Sequence, residues 1–260
     1  EYRALNVHPR DTENAIINVL RFYEAKNAIV FCNTRAAVAR LTTKFTNRGF
    51  SVVALSGELT QSERTNALQA LRDGRARVCI ATDVAARGID LPNLELVIHA
   101  DLPSNADTLL HRSGRTGRAG RKGVSALIVP PKMKTKANRL LGWAKLKAEW
   151  AAAPSAEEVN AADEARLLAD PAWEAPVPEE AADFVANLVA TYSAEQLATA
   201  FVNLYRARAS APEELADPGS KDDSKRPAFG PSVWFSVSQG RNDGAEPRTL
   251  LPMLCRAGDL

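Results

Sequence analysis

Between His111 and Gly120 the sequence reads HRSGRTGRAG, with three arginines, one histidine and three glycines in ten residues. A guanidinium offers a planar fork of donors that matches phosphate oxygens, and glycine lets the backbone come close to what the fork holds. That much fixed positive charge on a glycine-rich loop points to a phosphate-bearing ligand. The blander alternative is a basic surface patch that serves solubility. Choosing between them depends on the elements that place the loop.

From residue 27 the chain alternates short apolar runs with helical stretches. AIVFCN reads as a buried strand, and RAAVARLTTKFTNRG as a helix with Val38, Leu41 and Phe45 on one face and Gly49 at its end. SVVAL, ARVCIAT, LELVIHA and GVSALIV read as further strands, with helices expected over QSERTNALQALRDG and NADTLLHRSG. Strands interleaved with helices predict an α/β domain built on a doubly wound parallel sheet. Ligands of such sheets bind beyond the carboxyl ends of the strands. NTR at 33–35, TDVAARG at 82–88 and the arginine loop are all expected to collect at that one edge.

Beyond Pro130 and Pro131, KMKTKANRLLGWAKLKAEW is expected to be a basic connecting helix bearing Leu140, Leu141, Trp143 and Trp150. From 155 to about 211 the chain is rich in Ala and Glu. Ser155 with Glu158 and Ser193 with Gln196 have capping-box spacing, and Phe184, Leu188 and Tyr192, then Leu197, Phe201, Leu204 and Tyr205, form helical stripes. Short helices bury little by themselves, so a partner surface is expected here. Residues 217–232 read as a linker, and 233–260 hold one strand pattern, VWFSV, and one helix pattern.

The formal net charge of +2 hides an asymmetry: residues 1–150 hold 24 Lys and Arg against 13 Asp and Glu, and residues 151–260 hold 9 against 18. A basic front half suits a polyanion. Three cysteines without a C-x-x-C pair exclude a disulfide framework, and Cys32 and Cys79 lie in apolar runs where inert buried thiols are expected. No apolar stretch approaches the ~20 residues of a membrane span, and no signal-peptide pattern opens the sequence, so a cytoplasmic protein is expected.

IVFCNT (29–34), LSGELTQSER (55–64), ATDVAARGID (81–90) and HRSGRTGRAG, in this order and at these separations, resemble the motifs of the second RecA-like domain of DEAD-box RNA helicases. The resemblance covers residues 1–131. It implies ATP in a cleft between two such domains, the first bearing the P-loop and the Mg²⁺ site. Arg115 and Arg118 would be arginine fingers on the γ-phosphate, stabilising charge in a loose phosphoryl-transfer transition state. Asp90 would accept from the ribose hydroxyls, Gly88 would let the backbone close in, and His111 would couple the cleft to the first domain. The resemblance gives Phe31 a place beside the arginine loop or in the core, Arg112 a structural or a phosphate-binding role, and Asp83 a buttressing role rather than a metal.

RNA phosphates would be gripped at Thr34, Gly57, Gln61, Arg64 and Thr82, a backbone grip largely indifferent to sequence. The chain contains no G-x-x-x-x-G-K-[ST], so the isolated polypeptide is expected neither to hydrolyse ATP nor to unwind RNA. ATP and Mg²⁺ would be held mainly by a preceding domain. Residues 132–216 resemble the helical dimerisation module of bacterial members, implying a homodimer through 155–211. Residues 233–260 resemble the start of an RRM-like unit, with Trp234 and Phe235 as one stacking and one core aromatic in either order. The alternative reading is a non-catalytic dimerising scaffold that keeps a RecA-like fold for RNA or protein binding. A DNA-directed helicase fits HRSGRTGR less well.

Overall fold

All five side chains of Ala28–Cys32 are buried, which requires cover on both faces of the sheet. The structure is a computed structural model and describes residues 1–87, 94–117, 122–208 and 210–220. Its strands are β1 (Tyr2–Asn6), β2 (Ala28–Cys32), β3 (Val52–Leu55), β4 (Val78–Thr82), β5 (Leu96–His99), β6 (Val124–Val129) and β7 (Glu149–Ala152). Its helices are α1 (Thr12–Tyr23), α2 (Arg35–Asn47), α3 (Gln61–Arg72), the single turn α4 (Asp83–Ala86), α5 (Ala106–Ser113), α6 (Lys134–Trp143), α7 (Ala156–Leu168), α8 (Ala182–Thr191) and α9 (Ala194–Arg206).

The seven strands form one sheet in the order β3-β4-β2-β5-β6-β1-β7, and every pairing is parallel. Alternation along the strands builds the two faces. Val30, Cys32, Ile98 and Ile128 pack with Ile16, Leu20, Leu41 and Phe45 of α1 and α2. Ile29, Phe31 and Val97 face the other way, with Leu71 of α3. Leu127 and Val129 continue that second face against Leu109 of α5 and Leu140 and Leu141 of α6. The expected doubly wound α/β domain is therefore present. α2 and α3 are each followed by a glycine at positive φ, Gly49 at 79° and Gly74 at 71°, where a side chain would be strained.

Residues 132–150 depart from the expected single helix. Pro131–Met133 forms a 3₁₀ turn, α6 ends at Trp143, and Lys145 takes a positive φ of 55°. The chain then turns into β7, which pairs with β1 through Ala4 and Trp150. Trp150 is a half-buried strand residue, and Trp143 is exposed beside Arg139. The sheet thus gains its edge strand from beyond residue 131.

Both capping boxes form: Ser155 accepts from the N–H of Glu158 at 3.1 Å and Ser193 from that of Gln196 at 3.2 Å. α7 is tied to α1 by Arg21 to Asp163 at 2.5 Å and by Arg166 Nη1 to the Phe22 carbonyl at 2.9 Å. α8 and α9 leave Phe184, Val189, Tyr192 and Leu204 exposed. Among the described residues no helix is long and apolar enough to cross a membrane.

Candidate functional site

Thr34 follows β2, Gly57 follows β3 and Thr82 ends β4, so three expected ligand-binding positions share the carboxyl edge of neighbouring parallel strands. Thr34 caps α2, its Oγ1 accepting from the Ala37 N–H at 3.1 Å. Thr60 caps α3 in a reciprocal box with Glu63, and the bonds from Thr60 hold the Glu63 carboxyl below the usual carboxylate range. Gln61 is exposed in the first turn of α3. Arg64, one turn on, is half-buried and donates from Nη2 to the Ala85 carbonyl, tying α3 to α4. Helix N-termini of this kind present unpaired N–H groups that suit phosphate oxygens.

Among the described residues Arg112 is the largest fully buried side chain, with only 1% of it accessible. Its Nε and Nη2 donate to the two carboxylate oxygens of Asp83 at 2.6 and 2.7 Å. Nη1 donates to the Asp101 carbonyl at 2.7 Å and Nη2 to Asn33 Oδ1 at 2.9 Å, while the guanidinium carbon lies 5.1 Å from the Phe31 ring centre. A bidentate ion pair with every branch satisfied fixes geometry well. Arg112 is thereby occupied within its own domain, Asp83 buttresses α5, and Phe31 both fills the core and carries the guanidinium. Asn33, from the NTR stretch expected at this edge, and Asp101, which sequence reasoning did not single out, belong to this lock. Both are polar residues just past the end of a buried parallel strand, the position where such groups gather.

Arg115 is half-buried one turn beyond Arg112. It lines a shallow cleft with Phe31, Asp83, Arg87, Thr108 and His111, of which Arg87 and His111 are exposed. Arg87 lies in the TDVAARG stretch expected at this edge, though sequence reasoning gave it no role of its own. Asp90, Gly88 and Arg118 lie outside the described residues, as do Trp234 and Phe235.

α5 starts at the carboxyl edge and descends across the sheet, so its end lies toward the opposite edge. Ser113 bonds Ser125 near the start of β6 at 2.9 Å, and Thr116 Oγ1 donates at 2.6 Å to the Leu94 carbonyl, which precedes β5. The backbone of the turn after Ser113 thus lies on the flank of the sheet, while the Arg115 side chain shares its cleft with Asp83 and Arg87, which follow Thr82 at the carboxyl edge. Behind it His99 Nε2 is 2.9 Å from Ser125 Oγ. Burial, with the Arg112 cation adding to it, pushes the His99 imidazole down to about 3. Among the described residues no group of three or more His, Cys, Asp or Glu is placed to hold a metal ion.

The family described as "Helicase conserved C-terminal domain" matches residues 11–120. The chain is 49% identical over 110 residues to the ATP-dependent RNA helicase DBP8 of Meyerozyma guilliermondii, covering 42% of this chain and 25% of that protein. It is 50% identical over 102 residues to eukaryotic initiation factor 4A of Caenorhabditis elegans, covering 39% and 25%. The match thus spans about a quarter of the length of these relatives. Among solved structures, the E. coli DEAD-box protein SrmB bound to regulator of ribonuclease activity A is 36% identical, with a TM-score of 0.51 over 58% of this chain and 87% of that one. S. cerevisiae Dbp5 bound to RNA and ADP BeF3 is 26% identical, with a TM-score of 0.56 over 63% and 44%. These likenesses fix the sheet as the RecA-like fold of DEAD-box C-terminal domains.

Proposed function

The chain carries the C-terminal helicase domain of a DEAD-box RNA helicase, and we propose that it supplies one half of an ATP-driven RNA motor whose other half holds the nucleotide. ATP is the substrate, held with Mg²⁺ mainly by a second RecA-like domain. Arg115 and Arg118 reach the γ-phosphate and stabilise the charge that spreads over its oxygens during transfer. Asp90 and Gly88 receive the ribose, and His111 passes closure of the cleft to the other domain. RNA phosphates run over Thr34, Gly57, Gln61, Arg64 and Thr82, and closing the two domains bends the strand and parts a short duplex.

The observation that carries this reading is the lock on Arg112. Its four hydrogen bonds hold the last turn of α5, so Arg115 enters a cationic cleft from a fixed base, with Arg87 and His111 beside it. A cleft lined by three basic side chains fits a polyphosphate. The N-termini of α2 and α3, whose helix dipoles present positive ends at the carboxyl edge, support the RNA path in the same way. In the full-length protein, Arg115→Ala is expected to lower RNA-stimulated ATP turnover by about 10³- to 10⁵-fold with RNA binding retained. Unchanged turnover would reject the finger role.

The remainder of the chain belongs to the same proposal. Residues 155–211 form a homodimer contact, supported by Phe184 at 67% and Leu204 at 69% exposure on adjacent short helices. Sedimentation of the 260-residue chain at tens of micromolar is expected to give a dimer, and Phe184→Ser with Leu204→Ser a monomer. A wild-type monomer under those conditions removes the contact. The protein is also proposed to act in the cytoplasm.

A further inference from the structure

The amino edge of the sheet carries a second basic site. A cavity of about 140 Å³ lies where the end of α1, the turn before β3 and the start of β4 meet the chain beyond α9. Arg21, Arg48, Arg77 and Arg208 line it, with Glu24 and Ser210. Arg77 is committed to Glu24 at 2.8 Å, and Arg48 pairs with Glu213. Arg21 uses only Nη2, on Asp163, and Arg166 competes for that same carboxylate at 2.5 Å. Four guanidiniums and one carboxylate, that of Glu24, therefore line the cavity.

Arg21 carries the decisive feature. Its side chain is 8% exposed, and both Nε and Nη1 are buried without a hydrogen-bond partner. Buried charged donors are almost always satisfied, so two such N–H groups on a side chain that lines a cavity call for an acceptor inside it. Surplus positive charge makes that acceptor an anion, and a guanidinium edge matches phosphate oxygens. At ~30 Å³ per water the space equals about five water molecules, enough for one phosphate group and too little for a strand of RNA.

We propose that this cavity binds a single compact phosphate group, as inorganic phosphate or as the terminal group of a monoester, with Arg21 as its anchoring donor. The site lies at the amino ends of β2–β4, whereas Thr34 and Thr82 lie at the carboxyl ends. Strands of this length place the two edges about 15 Å apart, so the cavity is separate from the proposed ATP and RNA contacts and does not depend on them. Ser210 belongs to the chain that returns from α9, so a bound phosphate holds that chain and α1 together and stabilises the folded state by linkage.

The test is a titration of the 260-residue chain with inorganic phosphate at constant ionic strength, read by ³¹P NMR and calorimetry. Parallel arms use glycerol phosphate and a short RNA oligonucleotide. Saturable binding of one equivalent is expected, for phosphate or for the monoester. Arg21→Gln should weaken it by about tenfold or more, the loss of charge-assisted bonds. Should Arg21→Gln fail to fold, Arg208→Gln, at an exposed position, should still weaken binding severalfold. No saturable binding of either compound, or affinity unchanged in the folded variants, overturns the proposal. So does oligonucleotide binding that depends on Arg21 but that phosphate does not displace.

Discussion

His99 shows how one buried residue ties the arginine loop to acid stability. Its imidazole sits against Ser125, with Ser113 of the same hydroxyl pair ending α5, so the neutral ring is part of what holds the loop's base. Burial first, and the Arg112 cation second, lower its proton affinity from the ordinary 6.5 to about 3. The folded protein therefore takes up this proton at lower pH than the unfolded chain does. The stabilisation from neutral His99 is complete above about pH 6.5 and is lost as pH falls from there toward 3. His99→Gln is expected to flatten that limb of a plot of urea midpoint against pH between 6.5 and 4. Parallel curves for the two proteins would exclude His99 as the titrating group. The same burial pushes the thiols of Cys32 and Cys79 up to about 12, which leaves them protonated and inert as their apolar surroundings predict.

At the scale of elements, α5 and β6 meet at a glycine where any side chain forces a neighbour to shift. A Cβ on Gly123 would lie 2.6 Å from the Gly117 backbone nitrogen and 2.0 Å from Thr116 Oγ1. Thr116 holds the turn down by its bond to the Leu94 carbonyl, so relief must come from moving the turn after Arg115. Gly123→Ala is expected to cost about 1–3 kcal/mol and to lower ATP turnover in the full-length protein without weakening RNA binding. A chemical-denaturation midpoint unchanged from wild type would show that the turn yields freely. This contact was invisible in the sequence, where Gly123 reads only as the start of a strand. What was legible had a local cause: the apolar runs of β2–β6, the Val38–Leu41–Phe45 stripe, the glycines ending α2 and α3, and both capping boxes depend on residues within a turn or two of one another. β7 escaped because EWAA lacks a strand-like run and gains its place only by pairing with β1. The type of the arginine loop was readable, but the path of α5 down the sheet to Ser113 was not.

Across the whole described chain, one buried amide gathers segments nearly 200 residues apart. Asn18 of α1 donates through Nδ2 to the carbonyls of Pro154 at 2.9 Å and Glu213 at 2.8 Å, and its Oδ1 accepts from the Glu213 N–H at 2.7 Å. Asp11 accepts from the Ala216 N–H at 2.9 Å, and Leu215 packs on the core formed by α1 and α2. The chain therefore runs out from α7, itself packed on α1, through α8 and α9, and returns with residues 213–216 laid against α1. Asn18→Ala leaves backbone groups at both ends unsatisfied, at a cost of about 1–3 kcal/mol each. The returning strap is expected to open roughly tenfold or more often, read as faster hydrogen exchange at the Glu213 and Ala216 amides and faster tryptic cleavage at Arg206 and Arg208. Asn18→Asp keeps the acceptor for the Glu213 N–H but loses both donors, and it is expected to open the strap nearly as far. Exchange at Glu213 as slow in both variants as in wild type would mean that Leu215 and Asp11 suffice to hold the strap, and that the amide closes nothing.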